Sequence, residues 1–163
     1  MEDILKKWNS KHKKQYAENK QFLKRLAKKS NREIDALAGD LHEEAFNRID
    51  CIQCANCCKT ISPIFKTTDI KRISAHLGMK EAAFINKYLT IDEDDDFVVN
   101  ALPCPFLGPG NLCSIYEVRP RDCADYPHSQ KPGFAGRAAL HAKNTVSCPA
   151  VFYIVEQMKK QIK

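Results

Sequence analysis

No window of this 163-residue sequence approaches 18 consecutive apolar side chains, which excludes a helix able to cross a bilayer. The opening Met1-Glu2-Asp3-Ile4-Leu5-Lys6-Lys7-Trp8 holds no apolar run of the secretory kind, and no signal segment is expected. Also missing are a Ser-His-Asp order, a base-reading motif, an internal repeat and a glycine-rich strand-to-helix turn for a nucleotide-like cofactor. Cysteine is present but thin for a stapled chain: eight in 163, about 5%, against the roughly 8–10% of short secreted disulfide scaffolds. With 44% hydrophobic and 28% charged residues the chain is a globular protein, neither disordered nor a membrane protein. A domain of this size hides roughly 70% of its unfolded surface and needs no metal merely to collapse. With no expected route to an oxidising compartment, the thiols are expected in a reducing cytoplasm. There, clustered cysteines bind metal or do redox chemistry.

The net charge of +6 is unevenly spread. Residues 1–32 carry eleven Lys or Arg against three acids, while the remaining 131 residues carry fifteen basic and seventeen acidic side chains. The basic arm reads first as the solvated face of a helix packed on the domain. The second reading is a surface for nucleic acid or an anionic membrane, without aromatic interleaving to support it.

Ile4, Leu5, Trp8, Tyr16, Leu23 and Leu26 recur at loosely helical spacing, which predicts one amphipathic helix over 3–28. Ser30-Asn31-Arg32-Glu33 has the form of a capping box opening a second helix with the stripe Ile34, Leu37, Ala38, Leu41, Ala45 and Ile49. The two predict an antiparallel hairpin with its stripes turned toward the metal-binding half, and His12 and His42 as surface side chains. Further on, Thr68-Asp69 starts a helix ending at Gly78, and residues 80–89 form another. Asp92 to Asp96 lack the alternate spacing and glycine of a calcium loop and read as a solvated turn. Phe97-Val98-Val99 and Ser114-Ile115-Tyr116 read as strands flanking a hairpin loop at Gly108-Pro109-Gly110-Asn111. Pro149 opens a last helix facing inward with Val151, Phe152, Val155 and Met158.

Cys51-x2-Cys54-x2-Cys57-Cys58 outranks every other feature. Thiolates two residues apart in a tight turn converge on one centre, and soft sulfur suits zinc at about 2.3 Å or iron in an iron–sulfur cluster. The first three positions match the opening of bacterial ferredoxins, whose distant fourth ligand precedes a proline, as in Cys148-Pro149 and Cys104-Pro105. The match is incomplete, because no cysteine follows Cys57 at the usual spacing. The other thiols are Cys104, Cys113, Cys123 and Cys148, and eight divide into two four-sulfur sites. Adjacent side chains diverge, so Cys57 and Cys58 are expected to serve different centres. That gives Cys51, Cys54, Cys57 and Cys148 at one centre, and Cys58, Cys104, Cys113 and Cys123 at the other. Burial as small hydrophobes explains neither the clustering nor the spacing. Four disulfides would need an oxidising compartment. Zinc and iron stand level.

These residues, with Pro103-Cys104-Pro105-Phe106-Leu107 and Cys113-x-Ile115-Tyr116-x2-Arg119-Pro120-x2-Cys123-x2-Tyr126-Pro127, resemble the YkgJ-type cysteine-cluster family. The resemblance covers roughly residues 48–150 and implies a zinc- or iron-chelating domain with eight cysteines. The basic arm lies outside it. One departure is Ala124, where the family often has Arg; if that arginine contacts a substrate or partner, the contact is either lost here or supplied by Arg121 or His128. The same domain resembles part of the flagellin lysine-N-methylases. Those proteins are much longer, and their activity is not carried over.

Arg119, Arg121, Tyr126 and His128 are candidates to sit around the sulfur ligands and offset their charge. His128 and His141 are weaker candidate ligands, and Asp122 and Asp125 form no acid–base pair. The fold expected is mostly α, with a short β-hairpin and irregular metal-stapled loops. A basic helical hairpin spans residues 1–47 and a small cysteine-rich metal-binding domain spans residues 48–163. Its function is to chelate zinc or iron, in a structural, partner-binding or electron-transfer role, with a protein as the expected partner. The alternative is an enzyme modifying protein side chains.

Overall fold

The computed structural model describes residues 1–29 and 32–162, which are mostly helical with one small sheet. The N-terminal third forms α1 (Glu2–Lys11), α2 (Tyr16–Ala27) and α3 (Arg32–Arg48). The cysteine cluster forms two short turns of helix, α4 (Cys51–Cys54) and α5 (Asn56–Thr60). There follow β1 (Ile64–Phe65), α6 (Thr67–His76), α7 (Glu81–Tyr88), β2 (Leu89–Ile91) and β3 (Phe97–Val99). The chain ends with α8 (Arg121–Asp125), α9 (Ala138–Ser147) and α10 (Pro149–Gln161). Two compact units result, Met1–Cys54 with Pro127–Lys163, and Ala55–Tyr126. The sequence suggests a helical hairpin over residues 1–47 and a metal-binding domain over 48–163. Packing instead joins α9 and α10 to the N-terminal helices.

In the first unit α2 and α3 are the N-terminal helical hairpin, and the capping box expected at Ser30 and Asn31 lies outside the described residues. The helix expected over 3–28 is broken at His12–Gln15. Between Trp8 and Asn19 no described side chain is fully buried. Each half follows its own partner: α1 packs on α10, and α2 packs chiefly on α9. Trp8 Nε1 donates to the Thr145 carbonyl at 3.0 Å across this interior. Leu41, Ala45 and Ile49 of the predicted stripe are buried as α3 lies on α10. Asp35 holds the incoming chain, accepting from the Gly133 and Phe134 backbone N–H groups at 2.7 and 2.9 Å. His42 is not a surface residue: it is buried, with Nδ1 2.8 Å from Ser129 Oγ. His12 is half-buried against Trp8, ring centroids 4.5 Å apart.

The second unit is built on a three-stranded antiparallel sheet of order β1-β3-β2. Leu89 pairs with Val99 and Ile91 with Phe97, so β2 and β3 are a hairpin turned by the acidic run. Asp92 Oδ1 accepts from the Asp94 and Asp96 N–H groups at 2.9 and 3.0 Å, a turn stapled by its own side chain. The hairpin is therefore present, but not with the strand expected at 114–116. Gly108–Asn111 closes on itself through Gly108 N–H to Leu112 O at 2.7 Å and an isolated bridge between Leu107 and Cys113. Gly110 supplies the left-handed φ of 67° that this tight reversal needs. Tyr116–Val118 is then a 3-10 turn, with Ile115 buried between exposed neighbours. Phe65, Ile70, Ile73, Phe84, Phe106 and Ile115 form the core, and Cys104 and Cys113 pack against it.

Candidate metal centres

All eight cysteines are described, and none forms a disulfide. Cys58, Cys104, Cys113 and Cys123 come from four separate stretches of the second unit. The Cys104 N–H donates to the Cys58 carbonyl at 2.8 Å, and the Ile64 N–H donates to Asp122 Oδ2 at 3.0 Å beside Cys123. These bonds fasten the α5 turn to the 104 loop, and α8 to β1. Cys113 closes the 107–113 turn over the core.

The four thiols share one electrostatic neighbourhood. Cys123 is exposed as a residue, yet protein packed behind its sulfur, with the charge of Asp122 and of the Cys104, Cys58 and Cys113 thiols, pushes its thiol up to about 12. Burial also raises Cys104 and Cys113, against backbone N–H donors from Phe106 and Ile115; the Cys58 charge adds to the rise in both. Cys58 goes the other way. A hydrogen bond from Cys57 draws it down to about 6, outweighing burial, with its own N–H and Lys59 assisting. Each thiolate makes the next harder to form, and a cation among them reverses that balance.

In the first unit Cys51 and Cys54 open and close α4. The Asp50 carboxylate accepts from the Ile52 N–H at 2.8 Å and so starts that turn. Cys148 is the residue before α10, whose first helical position is Pro149 as predicted. Burial pushes its thiol up to about 12, opposed by the Val151 and Ala150 N–H groups at the helix start and raised further by the Cys51 and Cys54 charges. The chain divides after Cys54, so Cys57 belongs to the second unit, next to Cys58.

Among the described residues no three His, Cys, Asp or Glu side chains converge as they would around an ion. The four thiols of the second unit are coupled electrostatically, and their donor chemistry suits a soft cation.

The family model "CxxCxxCC: Putative zinc- or iron-chelating domain" matches residues 50–149, well over half of the chain. The chain belongs to the CxxCxxCC family. The family name describes the spacing of Cys51, Cys54, Cys57 and Cys58, and the match runs on through the other four cysteines. No curated protein and no solved structure matches the chain.

His141 is fully buried, stacked on Phe134 with centroids 4.0 Å apart, and among the described residues neither ring nitrogen has a hydrogen-bond partner. His128, at a left-handed φ of 65°, belongs with it to the first unit. Arg119 and Arg121 lie in the second unit with Cys123. In the sequence Thr68-Asp69 reads as a helix start; Asp69 is in addition buried and binds Arg72, a role signalled by the helical i, i+3 spacing of the two charges.

Proposed function

We propose that the protein chelates zinc or iron through cysteine thiolates, with Cys58, Cys104, Cys113 and Cys123 as one four-sulfur centre. Cys51, Cys54 and Cys148 supply thiolates to a second. The observation carrying this reading is the gathering of four thiols from four chain segments into one electrostatic neighbourhood within a single compact unit. The family match supports a metal of this kind. A bound cation would supply the charge that lets neighbouring thiolates coexist, and closure of the sulfurs around it would fix the 104–123 loops on their core. Zinc would make the centre a structural clamp; an iron–sulfur cluster would add electron transfer. A fixed surface on those loops suits a protein partner.

Metal and acid-labile sulfide analysis of protein purified without oxygen tests the proposal. About two zinc per chain, or iron with matching sulfide and a brown colour, is the expected result. Metal-depleted protein that gains no zinc or iron on reconstitution would overturn it.

A further inference from the structure

The second unit carries a cleft of about 380 Å³ on the flank of α8, lined by Thr68, Arg72, Glu117, Arg119 and Arg121, with Asp69 at its base. Its three cations are all arginine, Arg72 from α6 and Arg119 and Arg121 from either side of Pro120 at the start of α8. Each is held in place by the fold. Arg72 Nη2 donates to Asp69 Oδ1 at 2.7 Å and to the Arg119 carbonyl at 2.9 Å. Arg119 Nη1 donates to the Tyr116 carbonyl at 2.7 Å, while its guanidinium stacks 3.9 Å from the Tyr116 ring centroid. Arg121 Nε donates to Asp125 Oδ2 at 3.1 Å. A guanidinium offers five N–H donors, so these bonds orient the three groups and leave most of their donors for a ligand.

The carboxylate behind the cleft is committed to the fold. Asp69 is buried, and its two oxygens are taken by the Lys66 N–H at 3.1 Å, the Arg121 N–H at 3.3 Å and Arg72. Asp69 therefore acts as an internal anchor that sets α6, Arg72 and the start of α8 together. Asp125 accepts from Arg121 Nε, and Glu117 is an exposed residue of the lining. Thr68 sits in the first turn of α6, a ten-residue helix whose positive end adds to the field. Ala124 contributes only a methyl group to the cleft wall.

We infer that this cleft binds a phosphate group carried by a small molecule. A carboxylate has two oxygens and is satisfied by one guanidinium fork. A tetrahedral phosphate has oxygens for several forks and the Thr68 hydroxyl at once. The volume exceeds that of the phosphate alone and falls within the range of small-molecule sites, leaving room for the group that carries it. The site uses no cysteine and stands independently of metal binding, although Cys123 shares α8 with Arg121 and Ala124.

Equilibrium dialysis of the full-length, metal-loaded protein against radiolabelled inorganic phosphate, at fixed ionic strength set with chloride, tests the inference. The expected result is saturable binding of one phosphate per chain, weakened at least tenfold by Arg119→Gln and abolished by Ala124→Glu, which brings a carboxylate into the cleft at an exposed position. Lys20→Gln, on α2 in the basic arm, should leave it unchanged, and metal content should be the same in all four proteins. Non-saturable uptake, equal binding by Ala124→Glu, or equal weakening by Lys20→Gln would overturn the assignment. Should Arg119→Gln fail to fold, Ala124→Glu decides alone.

Discussion

The backbone N–H of Cys104 donates to the backbone carbonyl of Cys58 at 2.8 Å, across 46 residues of chain. That bond ties the CxxCxxCC turn to the second group of cysteines before any metal is considered. It makes the unit-two sulfurs a site supported by backbone, and it ranks the ligands for mutation. Cys104→Ser keeps the backbone bond and removes only the sulfur. It should weaken metal at the second-unit centre by more than roughly 100-fold, beyond what losing a partner around a metal site costs. Competition with a chromophoric chelator reads this. Cys54→Ser should release metal only from the other centre, and both variants should keep their far-ultraviolet helix signal.

Phe84 is fully buried and meets Phe65, Phe106 and Tyr88, with ring centroids 6.2, 6.1 and 5.4 Å away. Phe84→Ala should destabilise the second unit by about 3–5 kcal/mol. It should also loosen Cys104 and Cys113, which pack on the same core. Urea unfolding measures the first effect and thiol-reagent rates of the metal-depleted protein the second. A loss below about 1 kcal/mol would mean the core lies elsewhere.

His141 predicts an acid-sensitive first unit. Burial, with the Arg137 and His128 charges, lowers it to about 4 from an ordinary 6.5. The unfolded chain therefore takes up the proton first as pH falls. Stability is full above about pH 6.5 and is lost progressively down to about pH 4, by on the order of 3 kcal/mol. His141→Leu should flatten the pH dependence of the urea midpoint across that window; an unchanged slope would show that the ring is not the titrating group.

Asp35→Ala leaves the Gly133 and Phe134 N–H groups without their acceptor. An unsatisfied buried donor costs about 1–3 kcal/mol, and partial water access at this site places the effect at the low end. Hydrogen exchange of the Phe134 amide should accelerate, with the second-unit amides unaffected.

How far these features are legible in the sequence differs by element. The helix of Pro149 to Gln161 is plain, because a first-turn proline and the stripe Val151, Phe152, Val155 and Met158 fix both its start and its buried face. The acidic turn is also plain, since the Asp92 side chain closes it locally. The partner of β3 is not legible: Val99 pairs with Leu89, a residue whose apolar character fits the end of α7 equally well. Nor is the break at His12–Gln15, which arises because α1 and α2 lie on different helices brought from the far end of the chain. The CxxCxxCC spacing is visible in the residues themselves. The arginine cleft is not, because Asp69 joins α6 to α8 across 52 residues.

X-ray absorption at the metal edge of the native, anaerobically purified protein tests the central claim most directly. The account predicts a first shell dominated by sulfur at about 2.3 Å, close to four per metal. With four cysteines at one proposed centre and three at the other, the average over two metals lies between three and four sulfurs. That sulfur contribution should fall in Cys104→Ser. A first shell of nitrogen and oxygen alone would contradict it.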